Sequence, residues 1–244
     1  MGYLSHATAT DGGVSTNPSV LNDKPAGVTD GCLMIWAIHA DITNAAGIFS
    51  WPAGWTAIPA VDGQASSSVD QAVLGVAYKV ASGEGANYTC TLSTSDWWCS
   101  TIIAYDNCPA SPYDTQSNSG ADSTADAGPS WTIDALSLTT ATDSEILLWI
   151  AAIDNATSIV TAGTITYTPP SGFTDRGSVA DTNWCSIGWA DFTQATAGGS
   201  GSISSTANVA SDTGNAGQMA VLIAIKQNAT TAPRIITPIT SVSM

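Results

Sequence analysis

Basic residues are the scarcest class in this sequence: three Lys and two Arg stand against eighteen Asp and two Glu, giving a formal net charge of −15. Nucleic-acid backbones and anionic membranes are bound by clustered Lys and Arg, so this balance argues against both kinds of partner. No run of eighteen apolar residues occurs, which argues against membrane insertion through a helix. Residues 1–22 lack the basic and apolar regions of a signal peptide, so we expect the protein to be made and folded in a cytoplasm.

Helix-forming residues are also sparse, and few stretches show a period of 3.6 residues. The apolar residues, 44% of the chain, are grouped instead in short segments rich in β-branched and aromatic side chains and bounded by Gly, Pro, Asn, Asp and Ser. This pattern predicts an all-β protein. The predicted strands are 31–40, 55–61, 70–80, 86–93, 97–106, 131–138, 145–153, 163–168, 184–193, 200–209 and 217–226.

The sequence contains an internal repeat. The segment from Asp30 to Asp41 aligns without gaps on Asp143 to Asp154, and this alignment places Trp36 on Trp149. Further on, Pro52-Ala-Gly-Trp55 corresponds to Pro170-Ser-Gly-Phe173, and the apolar segment 101–105 corresponds to 220–225. Two long copies are too few for a solenoid. They predict a jelly-roll-like β-sandwich built from two sequence-related halves, each contributing strands to one core.

The repeat divides the chain into five parts. We expect an extended N-terminal arm over 1–23, a first half over 24–107, a polar connector forming a surface loop over 108–130, a second half over 131–227, and an extended C-terminal arm over 228–244. Arms of this kind can pair along a sheet edge of the same chain or of a neighbouring subunit.

No catalytic signature is present. His6 and His39 are the only histidines; His6 is expected to be solvated, and His39, on a predicted strand, to be structural because no partner for a dyad is evident. There is no Gly-x-Ser-x-Gly elbow, and eighteen Asp residues make any pair of carboxylates uninformative. The sequence therefore predicts a non-enzymatic protein with no catalytic residues, metal ligands or cofactor.

The sequence also raises a calcium site and a disulfide. Asp106, Asp114, Asp122 and Asp126 lie in or beside the connector and could offer oxygen ligands to Ca²⁺, but their spacing differs from an EF-hand loop, so a solvated acidic loop is favoured. Five cysteines cannot all pair within one chain. A Cys90–Cys99 disulfide across a hairpin is the alternative to reduced, buried thiols, which are favoured.

The aromatic residues suggest a contact surface. Trp51, Trp55, Trp97 and Trp98 are candidates either for subunit packing or for stacking on a surface glycan. Arg234, Ile235 and Ile236, between two prolines of the closing segment, are candidates for an arm contact. Packing in the core or between subunits is favoured over a glycan platform for Trp97 and Trp98.

The segment Lys24-Pro-Ala-Gly-Val-Thr-Asp-Gly-Cys-Leu-Met-Ile-Trp36, the turn from Pro52 to Trp55, and Ala77-Tyr-Lys-Val-Ala-Ser-Gly-Glu84 resemble segments of duplicated β-sandwich proteins of tailed-phage virions. The resemblance covers residues 24–227 and rests on turn glycines, strand-entry prolines and core aromatics. It differs at Cys32, where an acidic residue is usual, and in the scarcity of basic residues. The group includes capsid decorations, head fibres and tail-associated proteins.

This resemblance implies a virion structural protein, made in the host cytoplasm, that binds copies of itself and other virion proteins through its arms and exposed aromatics. The alternative is a carbohydrate-binding module of a tail fibre or of a cell-surface protein, located outside the cell.

Overall fold

The computed structural model describes residues 1–11, 18–42, 48–59, 63–66, 71–117, 120–122, 130–154, 165–182, 184–208 and 217–228. Within these ranges the regular structure is entirely β, as the sequence predicts, and every pairing is antiparallel. In chain order the first nine strands are β1 (Tyr3–Thr10), β2 (Ser19–Asp23), β3 (Leu33–Asp41), β4 (Phe49–Ser50), β5 (Thr56–Ala57), β6 (Gly63–Ser66), β7 (Gln71–Val80), β8 (Asn87–Leu92) and β9 (Trp98–Tyr105).

The remaining strands are β10 (Tyr113–Gln116), β11 (Gly120–Asp122), β12 (Ser130–Ala135), β13 (Thr139–Thr140), β14 (Glu145–Asp154), β15 (Thr166–Thr168), β16 (Thr174–Ala180), β17 (Cys185–Gln194), β18 (Gly198–Gly199), β19 (Ile203–Asn208) and β20 (Gly217–Ile225). The short strands β13 and β18 pair with each other.

Four sheets carry the fold. The first large sheet has the order β1-β9-β3-β7-β5, with β6 also pairing β7, and the first small sheet has the order β2-β8-β4. The second large sheet has the order β10-β20-β14-β17-β16, with β11 also pairing β20, and the second small sheet has the order β12-β19-β15. Strands up to β9 therefore form one pair of sheets, and strands from β10 onward form the other.

Three apolar clusters hold these sheets together. The central cluster lies between the two large sheets and includes Ile35 and Ile103 from one and Ile150 and Ile223 from the other. A second cluster, around Trp36, lies between the first large and first small sheets. The third, around Trp149, lies between the second large and second small sheets. The sheets thus stack in four layers.

This layering corrects the expectation of one core shared by two half-sandwiches. Each half has two sheets and a cluster of its own, because the central strands of both large sheets are apolar on both faces: every residue of β14, and every residue of β3 before Asp41, is buried. Trp36 and Trp149 accordingly fill two separate clusters instead of two halves of one core.

The two segments predicted to lack strands also differ from expectation. Residues 3–10 of the predicted N-terminal arm form β1, which pairs with β9, and residues 19–23 form β2 of the first small sheet. The predicted connector loop contains β10 and β11, which pair with β20. These are edge or near-edge strands held by backbone hydrogen bonds, so they need no apolar alternation that a sequence pattern could reveal. The C-terminal arm lies outside the described residues from 229 onward.

The repeated turn has the same geometry at both places. The amide of Trp55 donates to the carbonyl of Pro52 over 3.2 Å, and that of Phe173 donates to the carbonyl of Pro170 over 3.0 Å. Gly54 and Gly172 have φ of 85° and 87°, a conformation that strains any residue with a Cβ. Both segments are therefore turns that require glycine at their third position.

Glycine is also required where an aromatic ring lies on a large sheet. A Cβ added to Gly75 would lie 2.4 Å from the ring of Phe49. We expect Gly75→Ala to lower the free energy of unfolding by about 1–3 kcal/mol, because the buried ring has to move. Gly199→Ala, where nothing lies within 4 Å, is the control and should be nearly neutral. Urea denaturation of both variants measures the difference, and equal stabilities would contradict the packing seen here.

Candidate functional site

The junction between the two halves is where residues distant in sequence make the most elaborate polar contacts. Asp191 of β17 lies at its centre, with its side chain 7% exposed. Its Oδ2 accepts hydrogen bonds from the Tyr105 hydroxyl over 3.0 Å and from Arg176 Nε over 2.9 Å, and its Oδ1 lies 2.9 Å from Arg176 Nη2. The Arg176–Asp191 pair is therefore bidentate, the stronger form of such a contact.

Aromatic rings from the first half complete the junction. The Arg176 guanidinium lies 4.5 Å from the centroid of the Tyr3 ring, close enough for a cation–π contact. Tyr3 packs edge-on against Tyr105, and the His6 ring packs edge-on against Trp189 at 5.0 Å. The junction thus joins β1 and β9 of one half to β16 and β17 of the other.

The electrostatics of the junction follow from burial. Burial raises the pKa of Tyr105 well above its ordinary value, and the neighbouring Asp191 carboxylate raises it further. Burial lowers the pKa of His6. Both groups are consequently neutral near pH 7, and Arg176 and Asp191 form the charged pair of the junction. The junction is therefore held by one ion pair and by contacts between neutral aromatic side chains.

The corresponding contact occurs a second time with different residues. Tyr113 of β10 stacks on Tyr78 of β7 with ring centroids 5.3 Å apart. The register of β7 on β3 and of β17 on β14 makes Tyr78 the counterpart of Asp191. Strands β9 and β17 contact each other, and so do their counterparts β20 and β7. The two contacts between the halves therefore use corresponding strands.

Removing the central carboxylate should weaken the junction. We expect Asp191→Ala to lower the free energy of unfolding by about 2–3 kcal/mol, since it leaves the Tyr105 hydroxyl buried without its acceptor and Arg176 without its counter-ion. Asp134→Ala, at an exposed position of β12, should change it by less than about 0.5 kcal/mol. Chemical denaturation of both proteins tests this, and losses of equal size would show that the contact adds nothing.

A second group of polar residues is buried deeper between the large sheets. His39 of β3 pairs across the sheet with Cys99 of β9, and Cys185 of β17 lies in the same central cluster. Burial lowers the pKa of His39 from 6.5 to about 3, and the nearby carbonyl of Ser186 offsets this only in part. Neither ring nitrogen makes a hydrogen bond of good geometry. His39 is therefore a neutral core residue, which fits the structural role predicted for it.

The cysteines are free thiols. Burial raises the pKa of both Cys99 and Cys185 well above the ordinary value, so these thiols are protonated and behave as small apolar groups. Cys90 packs in the cluster around Trp36, whereas Cys99 faces the central cluster. They lie on opposite sides of the first large sheet, which removes the disulfide alternative.

The four candidate tryptophans are less exposed than a glycan platform requires. Trp55 and Trp98 are buried, at 8% and 2% exposure. Trp51 is half-buried, stacked on Phe49 and edge-on to Trp36, and Trp97 is half-buried against the central cluster. Packing thus accounts for all four. The arm candidates Arg234, Ile235 and Ile236 lie outside the described residues.

Two of the four aspartates that could serve as calcium ligands have other partners. Asp106 Oδ1 accepts the Gly2 amide over 2.7 Å, and Asp114 pairs with Lys226 over 2.9 Å. For Asp122 only the strand backbone is described, and Asp126 lies outside the described residues. Over the described ranges, no three His, Cys, Asp or Glu side chains are grouped as a metal site would need.

No helix in the described part of the chain is long and apolar enough to cross a membrane. Comparison of the chain with protein-family models, with curated proteins and with solved structures finds no match in any of the three.

Proposed function

We propose that this protein is a non-enzymatic structural component of a tailed-phage virion, of the capsid-decoration or tail-associated type, and that its two halves are duplicated jelly rolls. The sequence resemblance over residues 24–227 suggests the virion role. The strand order is the structural observation that supports it, by analogy of fold.

In each half, the large sheet places the first strand beside the last, and the long apolar central strand comes next: β1-β9-β3-β7 in one and β10-β20-β14-β17 in the other. The small sheets, β2-β8-β4 and β12-β19-β15, carry the intervening strands. This alternation between sheets supports a jelly-roll connection in each half, of the kind that viral capsid and lectin domains use. Because one fold serves many functions, the order supports the proposal without deciding it.

The register of the sheets supports the duplication. The β1–β9 pairing shifts between Tyr3 and Ser5, and the β10–β20 pairing shifts at the corresponding place, between Tyr113 and Thr115. The paired residues of β3 and β7 also correspond one to one with those of β14 and β17. Bulges at equivalent positions are expected of two copies of one ancestral unit.

The physical properties suit a particle component. The central cluster joins the two sandwiches, which makes a stiff block, and the charge of −15 favours solubility of an exposed surface. The C-terminal segment from 229 onward follows Asn228, whose side-chain amide donates to the backbone and side-chain oxygens of Asn107 at the junction. We propose that this segment contacts neighbouring subunits.

Two measurements test the role. Mass spectrometry of density-purified particles from the source of this sequence should detect the chain in a fixed ratio to the major capsid protein; its absence from the particles would end the proposal. Light scattering of the purified protein should show a defined oligomer.

Deletion of residues 229–244 should weaken that assembly. At a dilution where the parent protein is monomeric, the deletion should leave the midpoint of thermal unfolding nearly unchanged, because the contacts that the segment makes to other subunits stabilise only the assembled protein. A large loss of thermal stability would show instead that the segment completes the fold.

A further inference from the structure

A cavity of about 270 Å³ lies beside β15, β16 and β17 of the second half. Its polar lining consists of Tyr167, Ser178, Asp181 and Ser186, and its apolar lining includes Ile165 and Val179. Ser178 is exposed, so the cavity is reached from the surface on that side. None of these residues belongs to the junction, and neither the sequence pattern nor the proposed virion role uses them.

Two hydroxyls form a fixed pair in this cavity. The Tyr167 hydroxyl lies 2.8 Å from Ser186 Oγ, and Ser186 Oγ in turn donates to the carbonyl of Ile153 over 3.3 Å. With Ser186 donating to the backbone, the Tyr167 hydroxyl donates to Ser186, and its oxygen keeps a lone pair for another group. The ring cannot shift toward the sheet, since it rests on Gly188, where a Cβ would lie 2.5 Å from it.

The first half shows what a purely structural version of this place contains. There Phe49 occupies the position of Tyr167, because its ring rests on Gly75 as Tyr167 rests on Gly188. Val73 occupies the position of Ser186, since Val73 pairs with Ala40 as Ser186 pairs with Ile153. An apolar pair therefore suffices to pack this corner. In the second half the hydrogen bonds of the two hydroxyls offset the cost of burying them, but packing alone does not require hydroxyls at this place.

The lining indicates the class of ligand. Hydroxyls both donate and accept, so Tyr167 and Ser178 suit the hydroxyl groups of a ligand. The Asp181 carboxylate is 3% exposed and accepts the Cys185 amide over 2.9 Å, so it forms part of the wall. No Lys or Arg lines the described part of the cavity, so an anion would find no counter-charge. Ile165 and Ala180 offer an apolar side to C–H groups. The volume lies just below the range usual for drug-sized ligands, which limits the ligand to a small one.

From this geometry we infer that the cavity binds one neutral sugar residue, with Tyr167 and Ser178 bonding its hydroxyls, Ser186 holding the Tyr167 hydroxyl in place, and Ile165 and Ala180 contacting its C–H face. The inference goes beyond the proposed virion role and does not rest on it: particle association and sugar binding are measured separately, so either one can fail alone. Tyr167 keeps its proton throughout the physiological range, because burial raises the pKa of its phenol.

Ligand-observed NMR of the full chain with the methyl glycosides of glucose, galactose, mannose and N-acetylglucosamine tests the site. We expect at least one glycoside to bind with a Kd on the order of 1 mM, as suits a ligand of this size. Ethanolamine serves as a cationic probe and inorganic phosphate as an anionic one. Failure of all four glycosides at ten-fold higher concentration, or binding of ethanolamine alone, would overturn the inference.

The first half supplies the matched variant. Tyr167→Phe with Ser186→Val recreates the Phe49 and Val73 pair, so the protein should fold and bind the glycoside at least ten-fold more weakly. Thr166→Val, at an exposed position of the same strand, is the control and should bind unchanged. Ser178→Ala, also exposed, tests the site if the double variant does not fold, and is expected to weaken binding several-fold. Unchanged binding in the folded double variant would place the sugar elsewhere and refute the site.

Discussion

Acidification from pH 6.5 to pH 3 should lower the free energy of unfolding by about 4–5 kcal/mol through His39 alone. Burial holds the pKa of this side chain at about 3 in the folded protein, against 6.5 for an unburied histidine. Over that interval the unfolded chain binds a proton that the folded chain does not. The contribution of the neutral imidazole to the free energy of unfolding is therefore fully present above pH 6.5. It is lost as the pH falls toward 3, by about 1.4 kcal/mol per pH unit.

Urea denaturation at several pH values measures this slope, and His39→Leu isolates it from the titration of carboxylates. The leucine variant should lose the histidine part of the slope between pH 6 and pH 4. It should also be more stable at pH 7 by about 1–3 kcal/mol, because two buried nitrogens without good hydrogen bonds are removed. His6→Gln is the comparison. Burial lowers the pKa of His6 too, but this side chain is exposed and His39 is fully buried, so the His6 variant should lose much less of the slope. Parallel curves for the parent and His39→Leu would contradict the buried neutral state.

Truncation of either central tryptophan should have a similarly large effect. Trp36 and Trp149 are both fully buried, each in the cluster of its own half. We expect Trp36→Ala and Trp149→Ala each to lower the free energy of unfolding by about 3–5 kcal/mol, through lost burial and the cavity left behind. Because the central cluster joins the halves, both variants should shift one common transition to lower temperature.

Differential scanning calorimetry distinguishes this from independent halves. Two transitions, only one of which moves in each variant, would show that the halves unfold separately. Phe192→Ala provides the control, since Phe192 is 39% exposed, and should change the free energy of unfolding by no more than about 1 kcal/mol.

The central strands of both halves could be predicted from sequence, and the reason is burial. Segments 31–40 and 145–153 are apolar at consecutive positions, and the structure buries both faces of β3 and β14. The aspartates that frame the repeat also have a common structural role. Asp30 Oδ1 accepts the Gly83 amide and Asp143 Oδ1 accepts the Ala197 amide, each over 2.8 Å. The alignment of Asp30 on Asp143 therefore corresponds to a shared contact.

The edge strands could not be predicted in the same way. Every residue of β10 is half-buried, and β1 is half-buried except at two exposed positions. Neither strand therefore shows the alternation of buried and exposed residues that identifies a strand. The number of sheet layers could not be predicted from the sequence either. A strand buried on both faces has the same composition in the middle of one thick core as between two clusters, and pattern alone does not distinguish them.

The residues of the junction and of the cavity carry little sequence signal of their own. Arg176 and Asp191 are fifteen positions apart, and Tyr105 lies far from both in sequence. The clue in the sequence is the rarity of arginine: the chain has only two, so Arg176 is a candidate for a specific contact. For the cavity, the clue lies in the repeat itself: Ser186 differs in polarity from its counterpart Val73, but this becomes informative only when the register fixes the correspondence.

The proposed duplication bears on how a site can arise in only one of two similar halves. In a symmetric dimer of identical subunits, a substitution that introduces a hydroxyl appears twice, and so does its cost to stability. Joining the copies in one chain keeps them at a high effective concentration, so their contact survives while each copy changes independently. One copy can then retain Phe49 and Val73 for packing while the other carries Tyr167 and Ser186. In the proposed duplication, joining the copies in one chain thus lets one half keep its packing residues while the other half acquires a polar pair.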